Sequence, residues 1–258
     1  MVSRRRWHFL LQLAPLVAVA LLWEALSAAG IVPENRLPPP THVLGGFAEL
    51  VTRGLPPGSH LLGHCAASLR RVLAGVAAAL VVGIPLGLLL GRSTRLRTLV
   101  NLFVEILRPI PPLAWVALSI LWLGIGDSSA VFIIFLGAFF PILLNTVAGV
   151  LSIERGLIEA AVILGASKRD LFLKVLAPGA MPAMITGVRI AVGVGWMTLV
   201  AAEFTGVKSG YGLGYMIMTA RDIQRADQIV AGMLVIGLIG FAMDALIRAA
   251  ERRLLRWR

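Results

Sequence analysis

The 258-residue chain is 58% hydrophobic and only 14% charged, with a mean hydropathy of +0.88, against about 45–50% apolar and about 25% charged residues in soluble domains. That excess requires a lipid-facing surface. The net charge of +11 does not signal nucleic acid, because the arginines lie between long apolar runs instead of on one basic face, and the single Cys65 excludes an intramolecular disulfide or a Cys-rich metal centre.

A helix crosses the roughly 30 Å hydrocarbon core with about 20 apolar residues. Six stretches meet that length: Phe9 to Ala29, Ala66 to Leu90, Leu99 to Leu123, Ala130 to Leu151, Ala180 to Phe204 and Gln228 to Arg248. They predict an all-α membrane protein of about six transmembrane helices, with residues 1–258 as one domain. The first stretch follows Arg4-Arg5-Arg6 and ends at Ser27-Ala28-Ala29, the layout of a secretory signal. Its length, the internal Glu24 and the five further stretches favour a retained span. Lys and Arg concentrate in alternate connections, including Arg92, Arg95, Arg97, Arg155, Lys168, Arg169 and Lys174, which predicts a cytoplasmic location for both termini. Arg70 and Arg71 break the pattern and are expected to snorkel to headgroups.

Leu37-Pro38-Pro39-Pro40 and Leu55-Pro56-Pro57-Gly58 bracket an apolar run from His42 to Leu50, expected as a short surface helix. His60 and His64 are spaced i, i+4, but no third ligand or catalytic Glu accompanies them, so no metal site is expected. Pro109, Pro111 and Pro112 interrupt the third stretch. Such breaks are tolerated in a membrane where protein or a water-filled cavity satisfies the backbone, which places this one in the bundle interior.

Ionisable residues within spans are functional candidates: Glu105, Arg108, Arg189, Glu203 and Asp244. Each also has a structural reading. Glu105 with Arg108, and Asp244 with Arg248, are spaced to neutralise each other, and Arg189 either attracts an anion or bonds carbonyls. Glu203 reads as a gate or docking residue, since it repels anions. Trp115 and Trp196 either line a constriction or pack. Between spans, Thr205 to Asp227 carries Gly206, Gly210, Gly212 and Gly214, which suit a tight re-entry over a pathway mouth.

The longest inner connection, residues 152–179, has a finer grammar. Ile158 to Leu164 reads as a short helix, Gly165 offers the left-handed conformation that ends helices, and Ser167 with Asp170 forms a capping pattern for a second helix that runs through Leu176 and stops at Pro178. Leu171, Phe172 and Val175 share one face of it, an apolar surface that needs a partner.

Glu159-Ala160-Ala161, Gly165, Val175 and Pro178 resemble the EAA motif of ABC-importer permeases, with Ala177 standing where that pattern has Leu. Arg108-Pro109-Ile110-Pro111-Pro112-Leu113-Ala114-Trp115 and Gly193 to Glu203 resemble the nitrate, sulfonate and taurine permeases, closest to the taurine type. The resemblance implies a type I (MetI-like) importer fold, with Glu159, Ala160, Ala161, Gly165, Leu171, Phe172 and Pro178 coupling to an ATPase. It also implies a second copy of the chain, two ATP-binding-cassette ATPase subunits carrying ATP and Mg, and an extracytoplasmic substrate-binding protein. No cofactor and no catalytic residue is expected on this chain, which has no G-x-x-x-x-G-K-[ST] sequence. Pathway or gate candidates are Arg108, Pro111, Pro112, Trp115, Arg189, Trp196 and Glu203. The expected substrate is taurine or another aliphatic sulfonate. Alternatives are nitrate- or bicarbonate-like anions, a small heterocycle or an aromatic acid, or, in another class, secondary transport. A channel would need a filter or charged ring, and an enzyme an acid-base or metal set; neither is evident.

Overall fold

The computed structural model describes residues 2–30, 33–204 and 210–254, excepting the side chains of 2–13, 16 and 254. The described chain is helical: α1 (Val2–Ala28), α2 (Pro40–Thr52), α3 (Leu61–Arg92), α4 (Thr94–Leu107), a 3₁₀ turn (Pro112–Trp115), α5 (Val116–Leu123), α6 (Asp127–Leu151), α7 (Arg155–Ile163), α8 (Lys168–Asp170), a π-helical turn (Leu171–Leu176), α9 (Ala177–Phe204), α10 (Leu213–Asp222) and α11 (Ala226–Leu254).

Among the described residues, four helices are long and apolar enough to cross a membrane: Leu61–Arg92, Asp127–Leu151, Lys168–Phe204 and Ala226–Arg253. The expected straight third span is instead a bent pair, Thr94–Leu107 and Pro112–Leu123, meeting at 85°. Pro109, Pro111 and Pro112 remove three of four successive N–H donors from the ladder, which forces the bend. Counting that pair as one gives five among the described residues. The expected first span lies within α1, where the described apolar helix is Val17–Ala28.

The chain divides into two compact units, Met1–His64 with Met216–Gly237 and Cys65–Tyr215 with Leu238–Arg258. In the first unit, α2 is the expected surface helix, and Glu24 explains itself: its carboxylate accepts from the Thr41 N–H (3.3 Å) and hydroxyl (3.0 Å), capping the start of α2. Ser27 donates to the Leu37 carbonyl at 3.1 Å. Arg225 donates to Glu49 (2.6 Å) and to both oxygens of Asp227 (2.9 and 2.7 Å). Those bonds, Asp227's first, hold the guanidinium above its ordinary pKa. Gly46 lies where a Cβ would come within 2.8 Å of the Asp227 carboxylate, so α2 meets the start of α11 at a distance only glycine permits. His60 and His64 each turn a ring nitrogen to a backbone carbonyl, Val51 and Ser59, at 3.2 Å.

The second unit is built around α6. Gly75, Ala79, Gly83, Gly87 and Gly91 recur every fourth residue of α3 and form a seam. A Cβ at Gly75, Gly83, Gly87 or Gly91 would come within 2.5–3.0 Å of Ile134, Ile142, Thr146 or Val150 of α6. Lipid tails are as apolar as leucine, so helices in a bilayer associate by close packing, and small residues at such spacing permit it. On its other side α6 meets α9, with Gly149 against Ala183 and Gly187 against Asn145.

Candidate translocation and coupling sites

At the start of α6 and the end of α9, a charge network sits in the second unit. Arg71, fully buried, donates from Nη1 to Glu203 Oε1 at 2.5 Å and from Nε and Nη2 to Asp127 Oδ1 at 2.9 and 2.8 Å. Arg70 reaches the other Asp127 oxygen at 2.5 Å. Glu203, also fully buried, accepts from the Ser68 hydroxyl (2.8 Å) and the Gly214 N–H (2.8 Å), while Ser68 Oγ accepts from the Leu213 N–H at 2.9 Å. Every carboxylate oxygen therefore has a donor, the condition under which a buried pair persists. Arg71 does not snorkel, and Glu203 is buried within this network: it closes α3, α6 and α9 on the start of α10. Gly212 and Gly214 are required there, since a Cβ would come within 2.7 Å of the Glu203 carboxyl and 2.5 Å of the Val200 carbonyl. The expected re-entry is thus fastened to Glu203 from Gly212 onward. Gly206 and the remainder of 205–209 lie outside the described residues.

A cleft of about 430 Å³ opens where the chain breaks after α4. Arg108, Ile110, Pro112 and Trp115 line it from the break, Leu136, Gly137, Phe140, Pro141, Leu144 and Asn145 from one face of α6, and Ile190 and Val194 from α9. It is mostly apolar with a few polar groups, as ligand clefts are. The break is not interior to the single chain, contrary to expectation: Arg108 to Pro111 are exposed and α4 has no buried residue. Glu105 does not pair with Arg108; it accepts from the Asn101 amide at 2.5 Å. Pro111 adjoins the cleft in sequence, beside Pro112.

Arg189 and Trp196 fall elsewhere. Arg189 Nε donates to Asp244 Oδ1 at 3.1 Å, and Arg248 reaches the other oxygen of Asp244 at 2.6 Å, so the two guanidiniums share one carboxylate. Trp196 is buried, and a Cβ at Gly240 of α11 would sit 2.9 Å from its ring nitrogen. It packs between α9 and α11.

At the opposite end of α6, α7 carries Glu159 and Ala160 exposed and Ala161 half-buried. Gly165 has φ +81°, the left-handed conformation expected of it. Ser167 accepts from the Asp170 N–H at 3.1 Å and starts α8. Two expectations fail here. Pro178 does not end the second helix, which continues as one rod from Lys168 to Phe204. The widened turn allows this: the Ala177 N–H bonds back five residues to the Phe172 carbonyl, and Pro178 follows where the α ladder restarts, as at a helix beginning. Leu171 and Phe172 are not the outward apolar face. Both are half-buried, with Phe172 packed on Leu88, Val150, Leu176 and Ala180. The uncovered apolar side chains are Ile163 and Leu164, 83% and 86% exposed, with Leu157, Val162 and Leu173 near them in sequence.

Residues 83–256 match the binding-protein-dependent transport system inner membrane component family. The chain belongs to that family. It is 38% identical over 250 residues to the taurine transport system permease protein of Escherichia coli K12, covering 96% of this chain and 89% of that one. It is 45% identical over 191 residues to a Methanocaldococcus jannaschii chain whose name describes it as an ABC transporter permease protein, covering 74% and 71% of the two. The fold matches the MetNI methionine ABC transporter in inward-facing conformations, with a TM-score of 0.65 at 24% identity over 76% of this chain and 94% of that chain.

The chain is thus the membrane permease subunit of an ATP-binding-cassette importer, a non-catalytic subunit, with ATP hydrolysis on separate subunits. Within this permease, Arg108, Pro112 and Trp115 line one cleft, while the α6 half of that cleft was missed by sequence reasoning. Phe140, Pro141, Leu144 and Asn145 recur at i, i+1, i+4 and i+5, a helical face that could have been extracted, but an apolar run with one Asn gives no sign of which face meets a cavity.

Proposed function

We propose that this permease imports taurine or a closely related aliphatic sulfonate through the cleft at the α4 break, working as a homodimer with two ATPase subunits and an extracytoplasmic binding protein. The observation that carries the substrate is the near full-length relation to a taurine permease, and Arg108 at the cleft gives it a chemical basis. A sulfonate has three strong acceptor oxygens and a fixed charge, and a guanidinium with no ion-pair partner among the described residues, in a mostly apolar cleft, matches it. Support for the second copy comes from α4, which presents Leu99, Leu102, Phe103 and Ile106 uncovered; a pathway formed between two copies encloses the break that a single chain leaves open.

The exposed Ile163–Leu164 tip beside Glu159, Ala160 and Gly165 is the surface we assign to the ATPase, whose ATP and Mg drive the cycle. ATP binding draws the two tips together and opens the dimer outward; hydrolysis returns it inward. Both termini are cytoplasmic on this reading, in a bacterial inner membrane.

The test is uptake of labelled taurine into vesicles carrying the whole importer, together with thermal shifts of the binding protein. Taurine or an alkanesulfonate should shift the binding protein, and Arg108→Leu should cut uptake about tenfold or more. A response confined to nitrate, bicarbonate or a pyrimidine, or full uptake by Arg108→Leu, overturns the sulfonate reading.

A further inference from the structure

We infer that the cleft takes its sulfonate in one orientation, with the head at an Arg108–Asn145 end and an apolar tail along a slot that closes at Trp115, Leu136 and Val194. The permease itself then holds a sulfonate with a tail of several carbons more tightly than it holds taurine. This rests on the reading of Arg108 as the anion site and adds a separate tail site to it.

Neighbouring contacts order the lining residues along the cleft. Gly137 and Asn145 lie eight residues apart on α6, about 12 Å along its axis. Arg108 and Leu144 line both the cleft and an adjoining hollow of about 440 Å³, which sets Arg108 at the Asn145 end. At the same level a Cβ on Gly187 would come within 2.7 Å of Asn145, so α9 closes in there. At the other end Val116 packs on Ala130, Ile133 and Ala202, a turn of α6 beyond Gly137, which sets its neighbour Trp115 at the Gly137 end. A Cβ on Gly137 would come within 3.4 Å of Val194, so α9 supplies the wall at that level. The broken segment therefore runs antiparallel to α6, from Arg108 at one end of the cleft to Trp115 at the other.

The polar groups gather at one end of this slot. Asn145 Nδ2 gives one hydrogen to the Pro141 carbonyl at 2.8 Å and keeps a second, which joins the Arg108 guanidinium as a donor for sulfonate oxygens. Every other lining residue is apolar, and no carboxylate is among them. Glu105 lines the hollow beyond Arg108 and bonds to Asn101. Phe140 is held edge-on to Phe139 with ring centroids 5.3 Å apart, a fixed apolar wall. An ammonium group in the apolar half would lose water without gaining a partner. A methylene there gains by burial, about fourfold in affinity when complete. The volume of about 430 Å³ also lies in the range of sites for much larger ligands than a two-carbon sulfonate.

The experiment measures equilibrium binding of labelled taurine, ethanesulfonate and hexanesulfonate to the whole importer in nanodiscs, with the binding protein withheld so that the cleft alone selects. Empty nanodiscs correct for partition of the tail into lipid. Hexanesulfonate should bind about tenfold or more tightly than ethanesulfonate, and taurine no more tightly than ethanesulfonate. Leu136→Asn, close in size but polar, and Val194→Phe, which fills the tail end, should each remove most of the hexanesulfonate advantage while ethanesulfonate binding stays within about twofold. Retained ethanesulfonate binding shows that the variants are folded. Equal binding of the two alkanesulfonates, no saturable binding of hexanesulfonate, tighter binding of taurine than of ethanesulfonate, or variants that weaken both alkanesulfonates alike overturn the tail site. Failure of the underlying anion reading is seen separately, as an Arg108→Leu importer that binds ethanesulfonate as the wild type does.

Discussion

Arg71 and Glu203 form an ion pair 2.5 Å long with both side chains fully buried, joining α3 to the end of α9 across 132 positions of sequence. Asp127 takes the other side of the same guanidinium. Removing one partner strands the others in a low-dielectric interior. Arg71→Met should therefore destabilise the permease by about 3–5 kcal/mol. Arg71→Lys should fall between, because an ammonium cannot span both carboxylates as the planar fork does. Thermal melting of the purified protein in detergent checks both, and equal melting of wild type and Arg71→Met would remove the network from the stability account.

Two glycines, one in the α3 seam and one outside it on α9, give predictions of opposite sign. Gly87→Val drives a side chain into Thr146, where even a Cβ would sit 2.6 Å away, so it should separate α3 from α6 and lower the yield of folded protein. Gly193→Ala, in a helix with nothing within 4 Å, should melt at the wild-type temperature or above it. Gel-filtration yield and melting temperature read out both.

Within the coupling segment, docking and packing residues should separate. Ile163→Asp or Leu164→Asp should abolish co-purification of the ATPase while leaving membrane level unchanged, since these side chains are 83% and 86% exposed. Phe172→Ala should instead destabilise the permease, by about 2 kcal/mol or more, because it empties a place against Leu88, Val150 and Leu176. Gly165→Ala places a Cβ at φ +81° in otherwise open space, so its effect, about 1 kcal/mol, is backbone strain alone.

Local chemistry was legible in the sequence. Gly165 and the Ser167–Asp170 cap mark the turn between α7 and α8 because each depends on neighbours within three residues, and the prolines at 109, 111 and 112 mark a break for the same reason. The direction of the break was not legible, because whether a broken segment turns inward or outward depends on what α6 and α9 leave uncovered. Pro178 misled because its usual effect was offset by a widened turn two residues earlier, which no residue type announces. Arg71, Asp127 and Glu203 were each visible as charges in apolar surroundings, but pairing over 56 and 132 positions requires the fold. The four-residue spacing of Gly75, Ala79, Gly83, Gly87 and Gly91 was present to be read; it predicts a close helix contact without naming α6 as the partner.

On the proposed function, this permease moves its cargo only when a separate ATPase and a binding protein act on it. The direct measurement is accumulation of labelled taurine in reconstituted vesicles, with ATP, ATPase and binding protein omitted in turn. Accumulation should require all three and stop when any one is withheld. Taurine uptake that persists without the ATPase would contradict the account and make the chain a channel or a secondary transporter.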